Sequence, residues 1–361
     1  MMSHEVLFTP FECKSLKMRN RIVMSPMGRS SAPNGVPIKE AVAYYRARAT
    51  GGAGLIMSEA TAIERPAARN DPTAPDFHGP ALERWREVLD AVHEAGAMMG
   101  QQLWHVGALA DPRFNYEVPY ESPSGLVGAG MSNGRSMTEE DIADVIAAYG
   151  KAARSAKAGG WDIVEVHGGH SYLIDQFFWA ITNQRTDRYG GSIEARTRFA
   201  AEVLREIRTA VGPDMAISIR ISQWKQVDYD ARIANTPAEL ERWVTPLVEA
   251  GVDIFHCSQR RYWQPEFEGS NLNFAGWVKK LTGQPTITVG SVGLNTDLQA
   301  MVHGEGGAPV GIEPLIERME RGEFDLVAVG RAMIANSDWA DRIRRNEEIR
   351  AFTPAMLGSL V

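Results

Sequence analysis

Short apolar or β-branched runs alternate with longer stretches of helical periodicity along nearly the whole chain. Eight runs read as strands, at 21–27, 55–61, 98–105, 162–168, 216–222, 253–259, 286–292 and 325–331. They are short and almost continuously apolar, as strands of a parallel sheet are when both faces are covered. Between them lie helical patterns at 39–50, 80–95, 138–158, 192–211, 237–250, 272–281, 295–321 (interrupted) and 337–346. Thr138 with Asp141 is close to a capping box, and Thr236 precedes a proline, Pro237, at the first helical position. Glycines at 51–52, 96, 159–160, 212 and 251 stand where helices should stop before the next strand. Eight strand–helix units predict an α/β fold, a (β/α)8 TIM barrel, forming a single domain over residues 1–361. The 20 or so residues ahead of the first strand are expected to cap the bottom of the barrel. Residues 106–137, after the third strand, exceed a plain connection and predict an extended, ordered lid. The glycine-rich stretch 303–313 reads as a surface insertion in the seventh unit.

Composition narrows the function classes. At 361 residues and 44% hydrophobic content there is ample chain for a large core. The net charge of −7 argues against a nucleic-acid partner, and no apolar run is long enough to span a membrane. Residues 1–9 lack the pattern of a secretory leader. The two cysteines, Cys13 and Cys257, form no CxxC pair, so a disulfide framework and cysteine-ligated zinc or iron–sulfur are not expected. These features fit a cytoplasmic protein acting on a small molecule, with monomer and homo-oligomer both open.

The positions of the polar residues point further. Catalytic groups of such barrels gather at the carboxyl ends of the strands. Here those ends carry Arg29, Glu59, Gln102 with His105, His167 with His170, Arg220, Ser258, Gly290-Ser291 and Gly330-Arg331. The fourth strand ends Val164-Glu165-Val166-His167-Gly168-Gly169-His170-Ser171-Tyr172-Leu173, two imidazoles and a phenol that can share a pocket. Such a set can hold a polarised oxygen and move a proton. Zinc would need a third ligand, and only Glu59 and Glu165 stand at suitable positions, so no metal is expected. Glu165 alternates with His167 and should face the same side. Val289-Gly290-Ser291-Val292-Gly293 and Val329-Gly330-Arg331 suit a phosphate cradle, with tight turns alone as the plainer alternative. The loop at 259–265, with Tyr262 and Trp263, could roof a substrate or meet nicotinamide phosphates; a solvated loop with one packed tryptophan fits equally.

The fourth-strand segment, with Asn183-Gln184-Arg185-Thr186-Asp187-Arg188-Tyr189-Gly190-Gly191-Ser192 behind it, resembles the signature of the Old Yellow Enzyme family in its His-x-x-His variant. The resemblance runs from about residue 7 to about residue 345. It implies an FMN-dependent ene-reductase that takes hydride from NADH or NADPH and reduces α,β-unsaturated carbonyl or nitro compounds. His167 and His170 match the family's donors to the substrate oxygen, and Tyr172 its proton donor. Gln102 matches the residue at the flavin pyrimidine edge, and Arg220 the cation near its N1–C2 edge. Ser25, Pro26 and Met27 match the first-strand backbone against the ring, with Gly28 next along the chain and Ala60 beside it. The cradle of Gly290, Ser291, Gly330 and Arg331 would then hold the phosphate of the flavin, and Trp104 matches an aromatic near the substrate. Two positions depart from the family. Gly28 replaces the usual Thr or Cys, which implies a lower flavin potential. Ser171 replaces the usual Gly, which implies an altered turn before Tyr172. An oxidative demethylase or dehydrogenase of the same family is the near alternative. A flavin-free, phosphate-binding lyase or isomerase barrel is the distant one.

Overall fold

An apolar strand buried on both faces needs a neighbour on each edge, and eight of them meet that need by closing on themselves. The computed structural model describes residues 4–114 and 116–360. Its centre is a closed barrel of eight parallel strands: β1 (Ile22–Met24), β2 (Leu55–Ala62), β3 (Met98–Trp104), β4 (Ile163–Gly168), β5 (Ala216–Ser222), β6 (Ile254–Ser258), β7 (Thr286–Val289) and β8 (Leu326–Val329). Each pairs with the next, and β8 returns to β1 through Val327, Ala328 and Val329 opposite Ile22, Val23 and Met24. The TIM barrel read from the pattern is the observed architecture.

The helices are α1 (Glu40–Thr50), α2 (Ala81–Glu94), α3 (Glu139–Gly159), α4 (Leu173–Phe178), α5 (Ile193–Val211), α6 (Pro237–Glu249), α7 (Phe274–Thr282), α8 (Leu298–Val302), α9 (Glu313–Glu320), α10 (Arg331–Ala335) and α11 (Trp339–Arg345). The Thr138–Asp141 capping box forms at α3, and the Thr236 side chain accepts from the Glu239 N–H at α6. Gly160 takes the left-handed conformation that ends α3 (φ 81°). The interrupted pattern at 295–321 resolves into α8 and α9.

Two apolar clusters hold the barrel. The larger lies between strands and helices and includes the fully buried Trp85, Trp243 and Trp339. The smaller fills the barrel interior with Val23, Leu55, Met57, Ile163, Ala216, Ile254, Ile287, Leu326 and Ala328. A hairpin of Phe11–Cys13 and Leu16–Met18 adds Phe11, Leu16 and Met18 to that interior cluster. The residues ahead of β1 therefore plug one end, as expected. The lid at 106–137 is ordered by two small sheets, Glu121–Ser122 with Arg135–Ser136 and Leu126–Gly128 with Met131–Ser132. Buried Glu121 anchors it, accepting from Arg65 Nε (2.8 Å) and Arg135 Nη2 (2.8 Å) and facing His105 Nε2 (3.2 Å). Among the described residues no helix is long and apolar enough to cross a membrane.

Observed strands stop short of several expected runs. β1 ends at Met24 rather than 27, β7 at Val289 rather than 292, and Arg331 already begins α10. At each of these ends the chain leaves the ladder to build the mouth of the barrel.

Candidate active site

The polar groups at the mouth rest on a buried network inside the barrel. Glu165 on β4 is fully buried, as its alternation with His167 required. Its carboxylate accepts from Gln102 Nε2 (2.8 Å) and Ser218 Oγ (2.9 Å), and it meets His256 Nδ1 at 2.9 Å. Burial opposes its ionisation, yet His256, Arg220 and Ser218 together hold its pKa down at about 2. Two residues further along β4, His167 stands in register with Arg220 on β5 and His256 on β6. Arg220 is buried, with Nη1 directed at the Pro26 carbonyl (3.4 Å). Burial lowers its pKa to about 10, which leaves it charged at neutral pH. Glu165 favours its charge from a distance.

His167, His170 and Tyr172 come together as their spacing implied. The His167 ring meets the His170 ring edge-on at 5.1 Å and the Tyr172 ring edge-on at 4.7 Å. Trp104 closes the group, edge-on to Tyr172 at 5.2 Å, with its indole nitrogen buried and unpartnered. Burial, then the nearby Arg220, push both imidazoles well below their ordinary pKa, so both are neutral at pH 7. Burial raises the Tyr172 phenol, while Gln226, Arg220 and Arg113 favour its ionised form. The chemical result is a pair of neutral N–H donors beside a protonated phenol, all close to a fixed positive charge.

Ser171 does not break this arrangement. His170 and Ser171 both adopt left-handed backbone (φ 62° and 69°), which explains why glycine suits the second position. The serine is held there: its N–H donates to Asp175 Oδ2 (2.7 Å) and its hydroxyl accepts from the Gln226 N–H (2.9 Å).

Further neighbours complete the cluster; Ser258 was already named as a polar strand end, while Trp224 and Tyr229 were not singled out by the sequence. Ser258 at the end of β6 bonds His170 Nε2 (2.8 Å), and Trp224 stacks on the His170 ring at 4.3 Å. Tyr229 stacks on Trp224 in turn (5.3 Å, 2° between planes), with the Arg260 guanidinium over its far side (5.3 Å). Ser258, Trp224, Tyr229 and Arg260 line a cavity of about 400 Å³. A larger groove of about 890 Å³ runs on the outside by α1 and α11 and contains none of the expected residues. Tyr262 and Trp263 are not part of the histidine cluster. Tyr262 is buried in the outer core, Trp263 packs edge-on against it, and the Trp263 carbonyl accepts from Arg318. Trp224 was hidden because it follows the strand end by two residues, outside any periodic pattern.

On the opposite side, strands β7, β8 and β1 form a cradle. At Gly290 (φ 145°) a β-carbon would lie 2.3 Å from the Gln259 carbonyl, so only glycine fits. Ser291 is also left-handed (φ 54°), with its hydroxyl on the Arg260 and Thr296 carbonyls (3.0 and 2.9 Å). Arg331 braces the loop after β7 by donating to the Asp297 carbonyl (2.9 Å) and to that of Thr296. A β-carbon on Gly330 would sit 3.5 Å from Met27 Sδ and 3.9 Å from Ser25 Cβ, so the cradle adjoins the first strand. Ser25 itself donates its N–H to the Val329 carbonyl (2.9 Å). Ala60 faces Gln102 across β2 and β3, next to a bulge.

These residues fit a bound flavin nucleotide on their own chemistry. Arg220 Nε is buried without a partner, and no atom lies within 4 Å of where a Gly28 β-carbon would be. The Gln102 amide nitrogen is taken by Glu165, which leaves the amide oxygen to accept from a ring N–H. No group of three or more His, Cys, Asp or Glu among the described residues could hold a metal ion.

Comparison with known proteins agrees with this architecture. The sequence model of the NADH:flavin oxidoreductase / NADH oxidase family matches residues 6–349. The chain is 33% identical to an NADH oxidase of Thermoanaerobacter brockii over 98% of its own length and 53% of that protein's, so it spans about half of that relative. It is 30% identical to 12-oxophytodienoate reductase 7 of Oryza sativa subsp. japonica, covering 96% of this chain and 89% of the other. Among solved structures, morphinone reductase in complex with tetrahydroNAD superimposes with a TM-score of 0.80 at 29% identity, covering 97% and 93% of the two chains. The barrel, the cradle and the histidine pair thus belong to a member of the NADH:flavin oxidoreductase / NADH oxidase family, the Old Yellow Enzyme family.

Proposed function

We propose that this chain is an FMN-dependent NAD(P)H oxidoreductase that reduces the activated C=C bond of α,β-unsaturated carbonyl or nitro compounds. FMN, when bound, supplies two-electron hydride chemistry between NADH or NADPH and the β-carbon of the acceptor. The observation that carries the reading is the contact of His167, His170 and Tyr172 beside buried Arg220.

Ser25, Pro26, Met27, Gly28 and Ala60 would line the ring, with Gln102 and Arg220 at its polar edge. Gly290, Ser291, Gly330 and Arg331 would take its phosphate. His167 and His170, being neutral, each offer one N–H to the substrate oxygen without adding a buried charge. Such bonds strengthen as negative charge grows on that oxygen, so they favour the transition state over the ground state. Tyr172 keeps its proton through neutral pH and can deliver it to the α-carbon. Arg220 and Arg113 then stabilise the phenolate left behind. Trp104, edge-on to Tyr172, would bound the substrate on the lid side. Trp224, stacked on the His170 ring, would bound the substrate on the side of β5.

A lyase using Lys225 as a Schiff-base amine finds no support. That ammonium is fully buried and bound to Asp175 and to two backbone carbonyls.

The test is the visible spectrum of purified protein, taken anaerobically with NAD(P)H and then with 2-cyclohexenone. Flavin bands that bleach with the nicotinamide and return with the enone are expected. Bands that bleach but do not return would reassign the acceptor. A colourless protein that cannot be reconstituted with FMN would overturn the reading.

A further inference from the structure

The turn that presents His170 and Tyr172 is held from outside its own strand. Two consecutive non-glycine residues in left-handed backbone do not persist unless surrounding contacts enforce them. Those contacts come from α4, where Asp175 and Gln176 hold the Ser171 backbone, and from one short segment, residues 222–226, which leaves the end of β5. Ser222 Oγ accepts from the His170 N–H (3.0 Å). Trp224 stacks on the His170 ring. The Gln226 N–H donates to Ser171 Oγ (2.9 Å), and Gln226 Nε2 donates to the His170 carbonyl (2.9 Å). Gln226 also favours the ionised form of the Tyr172 phenol.

Beneath these contacts a buried ion pair fastens the segment. Lys225 Nζ donates to Asp175 Oδ1 (2.7 Å), the Gln223 carbonyl (2.8 Å) and the Ser222 carbonyl (3.3 Å). Asp175 uses its other oxygen on the Ser171 N–H (2.7 Å). Both side chains are fully buried, so the pair is shielded from solvent. The result is a strap with its anchor inside the protein and its free end at the mouth, because Gln226 is itself exposed. An exposed residue whose bonds go only to the proton-donor turn and the preceding histidine contributes little to core packing. Its placement suits control of the phenol.

We propose that Gln226 is a positioning residue for the proton-transfer step: held by the Lys225–Asp175 anchor, it aims the Tyr172 phenol and steadies the phenolate formed there. The proposal rests on the ene-reductase reading for the identity of the proton acceptor. The proton leaves the Tyr172 oxygen for the substrate α-carbon as hydride reaches the β-carbon, and water later reprotonates the phenolate. Gln226 exchanges no proton; it holds the turn through Ser171 Oγ and the His170 carbonyl, and its amide favours the charge that develops on the phenol oxygen.

The experiment separates the two half-reactions in Gln226→Ala, Tyr172→Phe and the double variant. In Gln226→Ala, anaerobic flavin reduction by NAD(P)H should stay within about twofold of the parent, while reoxidation by 2-cyclohexenone slows by about tenfold or more. In the Tyr172→Phe background the same change should cost nothing further, because the two residues act as a unit. A second readout needs no turnover. In the full-length, flavin-free chain, the phenolate absorbance titration of Tyr172, taken as the difference from Tyr172→Phe, should move to higher pH in Gln226→Ala. Equal slowing of both half-reactions, additive losses in the double variant, or an unmoved Tyr172 titration would each overturn the proposal. Should the parent fail to reoxidise with the enone, the acceptor class falls, and the Tyr172 titration still decides the role of Gln226.

Discussion

Gly28 shows how one missing side chain can set a property of the whole site. It stands where the resemblance places Thr or Cys, and no atom lies within 4 Å of its absent β-carbon. Its φ is not in the left-handed range, so a larger residue meets neither steric nor backbone resistance there. A threonine hydroxyl at that place could donate to a bound flavin ring and favour its reduced, more electron-rich form. One such hydrogen bond is worth a net of about 1 kcal/mol. For a two-electron couple that converts to a rise of about 20 mV. Gly28→Thr should therefore raise the midpoint potential by about that amount in an anaerobic dye-coupled titration, with unchanged unfolding stability. A potential that stays put or falls would show that the glycine does not tune the cofactor. Ser171 teaches the opposite lesson. Its identity suggested a disturbed turn, yet Asp175 and Gln226 hold it in the conformation a glycine would adopt freely. Sequence alone could not reveal this, because the compensating partners come from α4 and from the segment after β5.

At the scale of elements, the strap after β5 couples two strand ends that sequence periodicity treats as separate. Replacing Lys225 by Met would leave the Asp175 carboxylate buried without its partner. Breaking a buried pair in this way costs roughly 3–5 kcal/mol. Lys225→Met should accordingly lower the urea midpoint strongly, while Lys225→Met with Asp175→Leu should recover part of the loss. No recovery in the double variant would mean that the Asp175 bond to the Ser171 N–H, rather than the unpaired charge, dominates. The eight strands were legible because each is a short apolar run bounded by helix stops, and the register of the run fixes which side chains enter the barrel. The histidine pair was legible because its residues share one strand end. Strand limits at β1, β7 and β8 were not, since backbone there departs from the ladder to form the cradle without a change in composition. α4 and α10 were missed because five or six residues cannot display a helical period. Trp224 and Gln226 were missed because they reach the site from the segment after β5, and only the folded barrel brings that segment over the turn after β4.

Across the whole molecule, closing the barrel buries ionisable groups whose environments push them in opposite directions, and this gives folding stability a testable pH signature. Glu59, within β2, accepts from the Arg29 N–H (2.8 Å) and lies near the Tyr45 hydroxyl (3.5 Å). Burial nonetheless dominates and raises its pKa from 4.5 to about 7. The folded state thus holds a proton at Glu59 that the unfolded chain releases above pH 4.5, so stability from this group is present below that pH and is lost as pH rises through 7. Four buried imidazoles, His105, His167, His170 and His256, act in the other sense: each is depressed by burial, and their contribution is lost as pH falls below 6.5. Glu165, held down at about 2, adds a further loss only below pH 4.5. The raw stability curve mixes these effects, but a difference curve isolates one. Gln at position 59 keeps an acceptor for the Arg29 N–H and cannot ionise. Subtracting parent from Glu59→Gln should give a stability difference that grows between pH 4.5 and 7 by up to about 3 kcal/mol and is level on either side. Urea unfolding at half-unit pH steps would measure it. A flat difference across that window would mean that Arg29 and Tyr45 keep Glu59 ionised in the folded barrel, and that this acid of β2 carries full charge at neutral pH.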